Sequence, residues 1–311
     1  MKEVLKMNNQ KISTICILVA GAMWGTLCLF VRGLGLDGLT SMEIVFVRSA
    51  VAAVLLLLYL IVCNRKLLII KVKDLWCFVG TGIVSLTLFN ICYFTTIQRT
   101  SMAVAAILLY TSPVFVTILS AVLFSEKITV IKSVALVVAF TGCVLVTGIL
   151  SGAGAVMDVT GILVGIGAGV GYALYSIFGR YAIERGYASE TISLYTFMFA
   201  TLGMLAASPF VAPIPEMVAK IAQGNAARDI ILLVGIAVVA TIMPYLLYTK
   251  GLMGVGNSKA GIMASVEPVV ATILGIVVYK ESLSLSTVVG IVCVLGAIVL
   301  LNISIGDSKQ D

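Results

Sequence analysis

Apolar residues in this chain come in long runs, and the polar positions gather between them. A helix needs roughly 20 mostly apolar residues to cross a hydrocarbon layer about 30 Å thick. Ten windows of that kind lie at 12–32, 41–63, 75–98, 102–124, 130–150, 159–181, 190–210, 229–250, 258–280 and 284–303. The pattern predicts an all-α polytopic membrane protein with ten transmembrane helices. Only the stretch from Pro209 to Arg228, with Pro213 and Pro215, makes a long connection. The first window follows Lys2, Lys6 and Lys11, as in a signal peptide, but no small-residue cleavage site follows it, so it reads as a retained span.

The chain also repeats itself. Slid by 155 positions, "YFTTIQRTSMAVAAILLYTSPVFVTILSAVLFSE" (93–126) lies without a gap on "YTKGLMGVGNSKAGIMASVEPVVATILGIVVYKE" (248–281), and Pro113 falls on Pro268 and Glu126 on Glu281. Slid by 148, "GAMWGTLCLFVR" (21–32) lies on "GVGYALYSIFGR" (169–180), matching Gly21, Phe30 and Arg32 with Gly169, Phe178 and Arg180. Five helices per copy is an odd number, so the second copy must enter the membrane from the other side. Such inverted repeats are a transporter signature. The expected division is a first five-helix repeat over 1–150, an inverted second over 151–303, and a cytoplasmic tail over 304–311.

The five-plus-five pattern, with "YTSPVFVTIL" and "SE" closing the fourth helix and "SVEPVVATIL" and "KE" closing the ninth, resembles the EamA-type branch of the drug/metabolite transporter superfamily. The resemblance runs from about residue 12 to 303. It implies ten helices in two inverted repeats around a central cavity, and movement of a small metabolite such as an amino acid, often outward. It leaves the substrate open.

Charge gives the orientation. With both termini cytoplasmic, fourteen Lys and Arg fall on that side, five on the other, and Arg48 inside a span; that is the bias cytoplasmic loops carry. Composition then narrows the function. The chain is 61% hydrophobic and 11% charged, so its net charge of +6 is read loop by loop rather than as a nucleic-acid signal. The seven cysteines (Cys16, Cys28, Cys63, Cys77, Cys92, Cys143 and Cys293) form no CxxC pair and read as small apolar residues. The chain has no histidine, the commonest proton shuttle and metal ligand, and no GxxxxGK[ST] loop. A membrane enzyme, an ATP-driven pump, a metal site and a cofactor are therefore not expected. Secondary transport is, with a passive facilitator or channel as the alternative.

Glu267 is the sharpest candidate. It lies about nine residues into the ninth helix, near mid-membrane at ~1.5 Å per residue, where an acidic group costs several kcal/mol. Such a carboxyl exchanges a proton, receives a cationic substrate group, or stays hydrogen-bonded and locks helices together. The resembling family commonly has an acid here, which suits all three readings and leaves proton coupling open. Pro268 removes a backbone donor and suits a kink beside a polar cavity. Pro113 mirrors it but follows the neutral Ser112, so the prolines read as scaffold or gating and the acid as particular to one half. Glu126 and Glu281 end corresponding helices at opposite faces, where anchoring is favoured over ligand contact.

Arg48, about seven residues into the second helix, is placed with the structural or gating group. Five residues at ~100° put Glu43 about 140° from it, so its partner must come from another helix or an anionic substrate. The resemblance implies a cavity among helices one, three, four, six, eight and nine. Trp24, Asn90, Tyr110, Tyr172, Tyr175, Thr241 and Tyr245 fit its lining, with Tyr93 and Tyr248 the weakest fits; helix packing or an interfacial belt is the alternative for each. Gly161, Gly165 and Gly169 form a small-residue stripe for close helix packing. The internal repeat supplies the symmetry that half-length transporters obtain by pairing, so a functional monomer is expected.

Overall fold

A computed structural model describes residues 2–36, 38–147, 158–207, 213–223, 226–280 and 283–307, with every side chain in them except those of 2–9, 222, 223, 226 and 303–307. Glu281 and the boundary at 150 lie outside the described residues. Among those residues the chain is all-helical. The principal helices, in chain order, are α1 (Gln10–Gly35), α2 (Ser41–Cys63), α3 (Val72–Arg99), α4 (Met102–Phe124), α5 (Val130–Val146), α6 (Val159–Glu184), α7 (Ser189–Ala206), α8 (Ala227–Val255), α9 (Asn257–Tyr279) and α10 (Leu285–Asn302). Eight of them are long and apolar enough to cross a membrane. Helix α5 is shorter, and α7 is diluted by serine and threonine. The final helix continues to Asp307, past the expected end at 303.

Polar residues at the ends explain where these helices start. Thr40 and Glu43 form a capping box on α2: the Glu43 N–H donates to Thr40 Oγ1 at 3.3 Å, and the Thr40 N–H donates to Glu43 Oε2 at 2.7 Å. Ser101, Thr129 and Asp158 cap α4, α5 and α6 by accepting backbone N–H groups. Many large apolar side chains point outward, Val62 at 83% exposure and Val122 at 73% among them. In water such a surface is unfavourable; facing lipid tails it costs nothing.

Two features were not foreseen. The connection after α7 contains a further helix, Ile214–Gln223, that buries Met217 beside Leu34, Met42 and Ile236. Pro215 sits in its first turn, where the missing N–H is harmless, so a residue that reads as a breaker is a starter. Helices α3 and α8 also each contain a π-helical stretch, Gly80–Thr87 and Val238–Ile242. Hydropathy is blind to this change of hydrogen-bond register.

The offsets seen in the sequence recur in the backbone. The two π stretches lie at corresponding places under the 155-residue slide. Helix α4 breaks between Leu109 and Ser112, and α9 between Ala264 and Val266, each just before its proline. Both then end in a left-handed residue, Ser125 at φ 54° and Lys280 at φ 58°. Gly21 of α1 packs on the break in α9, where a Cβ would meet Val266 at 2.6 Å; Gly169 of α6 packs on the break in α4, where a Cβ would meet the Leu108 carbonyl at 2.7 Å. Helices α5 and α10 cross at Gly142 and Gly290 with reciprocal contacts: a Cβ on either would lie 2.7 Å from the other's carbonyl oxygen.

A left-handed serine or lysine carries strain that glycine lacks. Ser125→Gly and Lys280→Gly should each raise stability by about 0.5–1 kcal/mol. The detergent unfolding midpoint checks this, and a fall in both variants would contradict the left-handed caps.

Candidate functional site

The charged and aromatic residues meet where α1, α2, α3, α4, α6, α8 and α9 converge. A cavity of about 140 Å³ is lined there by Trp24, Leu27, Val31, Ser41, Ile44, Val45, Arg48, Phe89, Asn90, Tyr93, Phe94, Leu109, Tyr172, Tyr245 and Glu267. Ser41 and Val31 belong to the end of the bundle where α1 finishes and α2 begins, so the cavity runs from that end to the middle of the helices. Glu43 marks the same end; its side chain is 3% exposed and accepts a hydrogen bond from Lys220 of the Ile214–Gln223 helix at 2.8 Å.

Glu267 follows the break in α9 and accepts a hydrogen bond from the Tyr172 hydroxyl at 3.3 Å. Arg48 is 6% exposed, its Nε has no hydrogen-bond partner, and it interacts electrostatically with Glu267, Tyr172 and Tyr245. It does not snorkel to water. It lines the cavity together with Glu267, Tyr172 and Tyr245.

An aromatic layer forms the floor. Trp24 packs edge-on against Tyr245 at 5.2 Å and against Tyr172 at 6.4 Å, and Phe89 meets Tyr172 at 5.3 Å. Such edge contacts are worth roughly 0.5–1.5 kcal/mol beyond area burial, enough to hold a layer that remains breakable. Positions related by the sequence offsets line the cavity in pairs: Trp24 and Tyr172 by the 148-residue offset, Asn90 and Tyr245 by the 155-residue one. The charges break this correspondence, because Arg48 answers to Thr196 and Glu267 to Ser112. Thr196 is satisfied by a 2.6 Å hydrogen bond to Thr81.

Beyond the floor lies a second, constricted space of about 10 Å³ among Ser85, Leu86, Tyr175, Ser176 and Tyr248. Two hydroxyl pairs join α6 to α8 there: Tyr175 with Thr249 and Ser176 with Tyr248, both at 2.8 Å. One helical turn further, Arg180 donates to Glu126, which also accepts from the Asn257 N–H at 3.0 Å, the Ser258 N–H at 3.3 Å and the Ser258 hydroxyl at 2.7 Å. Tyr172, Ser176 and Arg180 are thus spaced i, i+4, i+8 along one face of α6, passing from cavity to constriction to clasp.

The remaining candidates fall outside the cavity. Thr241 is buried and donates to the Ile236 carbonyl at 2.8 Å, inside the π-helical stretch. Tyr110 packs with Cys143, Val269, Val294 and Ile298. Tyr175 and Tyr248 line only the constriction. Pro113 and Pro268 are buried at the helix breaks. Sequence reading missed the apolar walls, Ile44, Val45 and Phe94 among them, because nothing in a leucine-like residue says which cavity it faces. Glu126 stood out through its 155-residue offset to Glu281, but its partners did not.

The sequence profile of the EamA-like transporter family matches residues 11–148 and 159–303. The uncharacterized transporter YetK of Bacillus subtilis (strain 168) is 28% identical over 259 residues, covering 81% of this chain and 75% of its own. An uncharacterized transporter of Archaeoglobus fulgidus is 27% identical over 292 residues, covering 91% of this chain and 94% of its own. The uncharacterized transporter YwfM of Bacillus subtilis (strain 168) is 26% identical and covers 96% of each chain. Among solved structures, a crystal structure of a protein 16% identical to this chain superposes with a TM-score of 0.79, covering 96% of this chain and 99% of its own; that likeness is one of fold.

Proposed function

The chain belongs to the EamA-like transporter family, and from that premise we propose a secondary transporter that moves a small amphipathic metabolite, an amino acid or a relative of one, outward across the cell membrane. Ten spans in two inverted five-helix repeats carry it, with both termini cytoplasmic and the Glu126 end facing the cytoplasm. The protein works as a monomer. One observation carries the reading: a polar, aromatic cavity between the two halves that is reachable from one end and closed by a floor and a clasp towards the other, which is what alternating access requires. The recurrence of π stretches, breaks and caps at fixed offsets supports the repeat, and the reciprocal Gly142–Gly290 contact supports a two-fold relation between its copies. A second reading, a passive facilitator, draws on the thinness of the floor, where a single layer of rings separates the two spaces.

Counterflow in proteoliposomes tests both. A transporter exchanges labelled for unlabelled substrate, and an imposed pH gradient drives accumulation if Glu267 exchanges a proton with substrate. Glu267→Gln should then lose the pH-driven component by roughly tenfold or more while retaining its fold. Normal gradient-driven uptake by Glu267→Gln would eliminate coupling through this carboxyl; flux that equilibrates but never accumulates under any gradient supports the facilitator.

A further inference from the structure

We infer that the cavity takes its substrate as a zwitterion, with a carboxylate against Arg48 and an ammonium group against Glu267, so that Arg48 is a substrate-binding residue. The inference rests on the transporter reading and adds the charge and polarity of the ligand.

Opposite charges in a cavity of low dielectric collapse into an ion pair when nothing prevents it. These two do not: no nitrogen of Arg48 lies within 4.0 Å of a Glu267 oxygen, although both line one cavity. Their helices hold them apart, Arg48 on α2 and Glu267 at the break in α9 with its carboxylate bonded to Tyr172. Each is left under-satisfied. A guanidinium offers five donors, and the Arg48 Nε is buried without an acceptor. An ionised carboxylate has about four acceptor sites, and Glu267 uses one of them on a long hydrogen bond. The positions related to them by the repeat offsets, Thr196 and Ser112, carry no charge, so the pair is particular to this site.

The missing partners define the ligand. A simple amine would satisfy Glu267 and leave Arg48 bare; a simple acid would do the reverse. A small molecule bearing both groups completes the two poles at once and leaves the cavity's net charge unchanged. Planar pairing of guanidinium with carboxylate fixes one end, and the Trp24 and Tyr245 rings that line the cavity suit an apolar side chain beside the other. At about 140 Å³ the cavity fits a small ligand and excludes a long peptide.

Trp24 reports on the site directly. With Trp76→Phe, the full-length protein in detergent retains Trp24 as its single tryptophan. Titration with the standard amino acids, and with the amine and acid analogues of valine (isobutylamine, isovalerate) and phenylalanine (phenethylamine, 3-phenylpropanoate), reads binding as a change in its fluorescence. Valine or phenylalanine should bind at least about tenfold more tightly than both of its analogues. Arg48→Gln should remove that advantage over the amine, Glu267→Gln the advantage over the acid, and Arg48→Lys should retain part of it because the charge remains but the fork is lost. An amine or acid that binds wild type as tightly as its zwitterion, or absence of binding by every amino acid in the panel, overturns the inference without need of any variant. Failure of counterflow with zwitterion binding intact would instead sink the transporter reading alone.

Discussion

Glu126→Ala should loosen the closed end of the bundle. One carboxylate there joins three helices: it accepts from Arg180 of α6 and from the first-turn N–H groups of Asn257 and Ser258 on α9, while extending from the end of α4. Lys132 at the start of α5 approaches at 3.9 Å. A negative charge at the N-terminus of α9 also meets the positive end of that helix. The carboxylate side chain is 13% exposed and Arg180 25%, so removal leaves a partly hydrated guanidinium rather than a fully buried one. The expected loss is about 2–3 kcal/mol, below the range for fully buried pairs. A second readout separates clasp from ordinary packing. With Ser176→Cys as the sole cysteine, labelling by a hydrophilic maleimide from the Glu126 end should rise several-fold in Glu126→Ala, since Ser176 lines the constriction behind the clasp. Unchanged labelling with a lowered midpoint would make Glu126 a brace and not a closure.

The same contact has a pH signature. Burial alone would raise the Glu126 carboxyl, but the Ser258 hydroxyl, the Asn257 and Ser258 N–H groups and Arg180 outweigh it and hold the carboxyl below its ordinary value of 4.5. A depressed folded-state value means the stabilisation is complete above the unfolded value and is lost as pH falls through the folded one. The stability difference between wild type and Glu126→Ala should therefore be constant at neutral pH and shrink only below 4.5. A difference that already closes near pH 6 would show that another group governs it.

Gly142→Leu should prevent folding. A Cβ at residue 142 lies 2.7 Å from the Gly290 carbonyl oxygen and 2.9 Å from the Val294 nitrogen; at residue 290 it lies 2.7 Å from the Gly142 carbonyl and 2.9 Å from the Val146 nitrogen. Backbone stands on both sides, so no side chain can turn away and α5 must separate from α10. Even Gly142→Ala should cost about 1–3 kcal/mol. Gly296, on the same helix as Gly290, has nothing within 4 Å of its Cβ position. Gly296→Ala should be neutral or stabilising by up to about 1 kcal/mol through helix propensity. Recovery of monodisperse protein and its unfolding midpoint give the comparison, and equal behaviour of the 142 and 296 variants would deny the close crossing.

Eight of the spans were legible because crossing a membrane imposes a length and an apolarity that their windows display. α2 and α4 begin and end where the windows do, since Ser41, Met102 and their capping neighbours Thr40 and Ser101 punctuate the runs. The kinks were legible through Pro113 and Pro268. Glu267 stood out because a carboxylate within an apolar run is costly. Arg48 was harder: its helix-face angle excludes Glu43 as a partner but cannot say which helix lies opposite. That is a property of packing, and Tyr172, 124 positions away in the chain, is one of the residues that answer it. The Ile214–Gln223 helix was lost to a length criterion, being too short to span and started by a residue that usually stops helices.

A π-helical turn is in effect a helix with one residue too many, fitted in without changing the residues on either side. Each residue of an α-helix turns the next by about 100°, so everything after the stretch at Val238–Ile242 is aimed differently from a regular continuation of the residues before it. Tyr245 and Tyr248 follow that stretch in α8, as Asn90 and Tyr93 follow Gly80–Thr87 in α3. Forcing either stretch into regular α-helical bonding with all its residues kept would turn Asn90 and Tyr93, or Tyr245 and Tyr248, by about 100°, whereas deleting one residue would let the helix run regularly with those side chains still in phase. The direction of these two walls is therefore written in the hydrogen-bond register upstream of them, and a change of register there would re-aim Asn90 and Tyr245 while leaving the composition of the site intact.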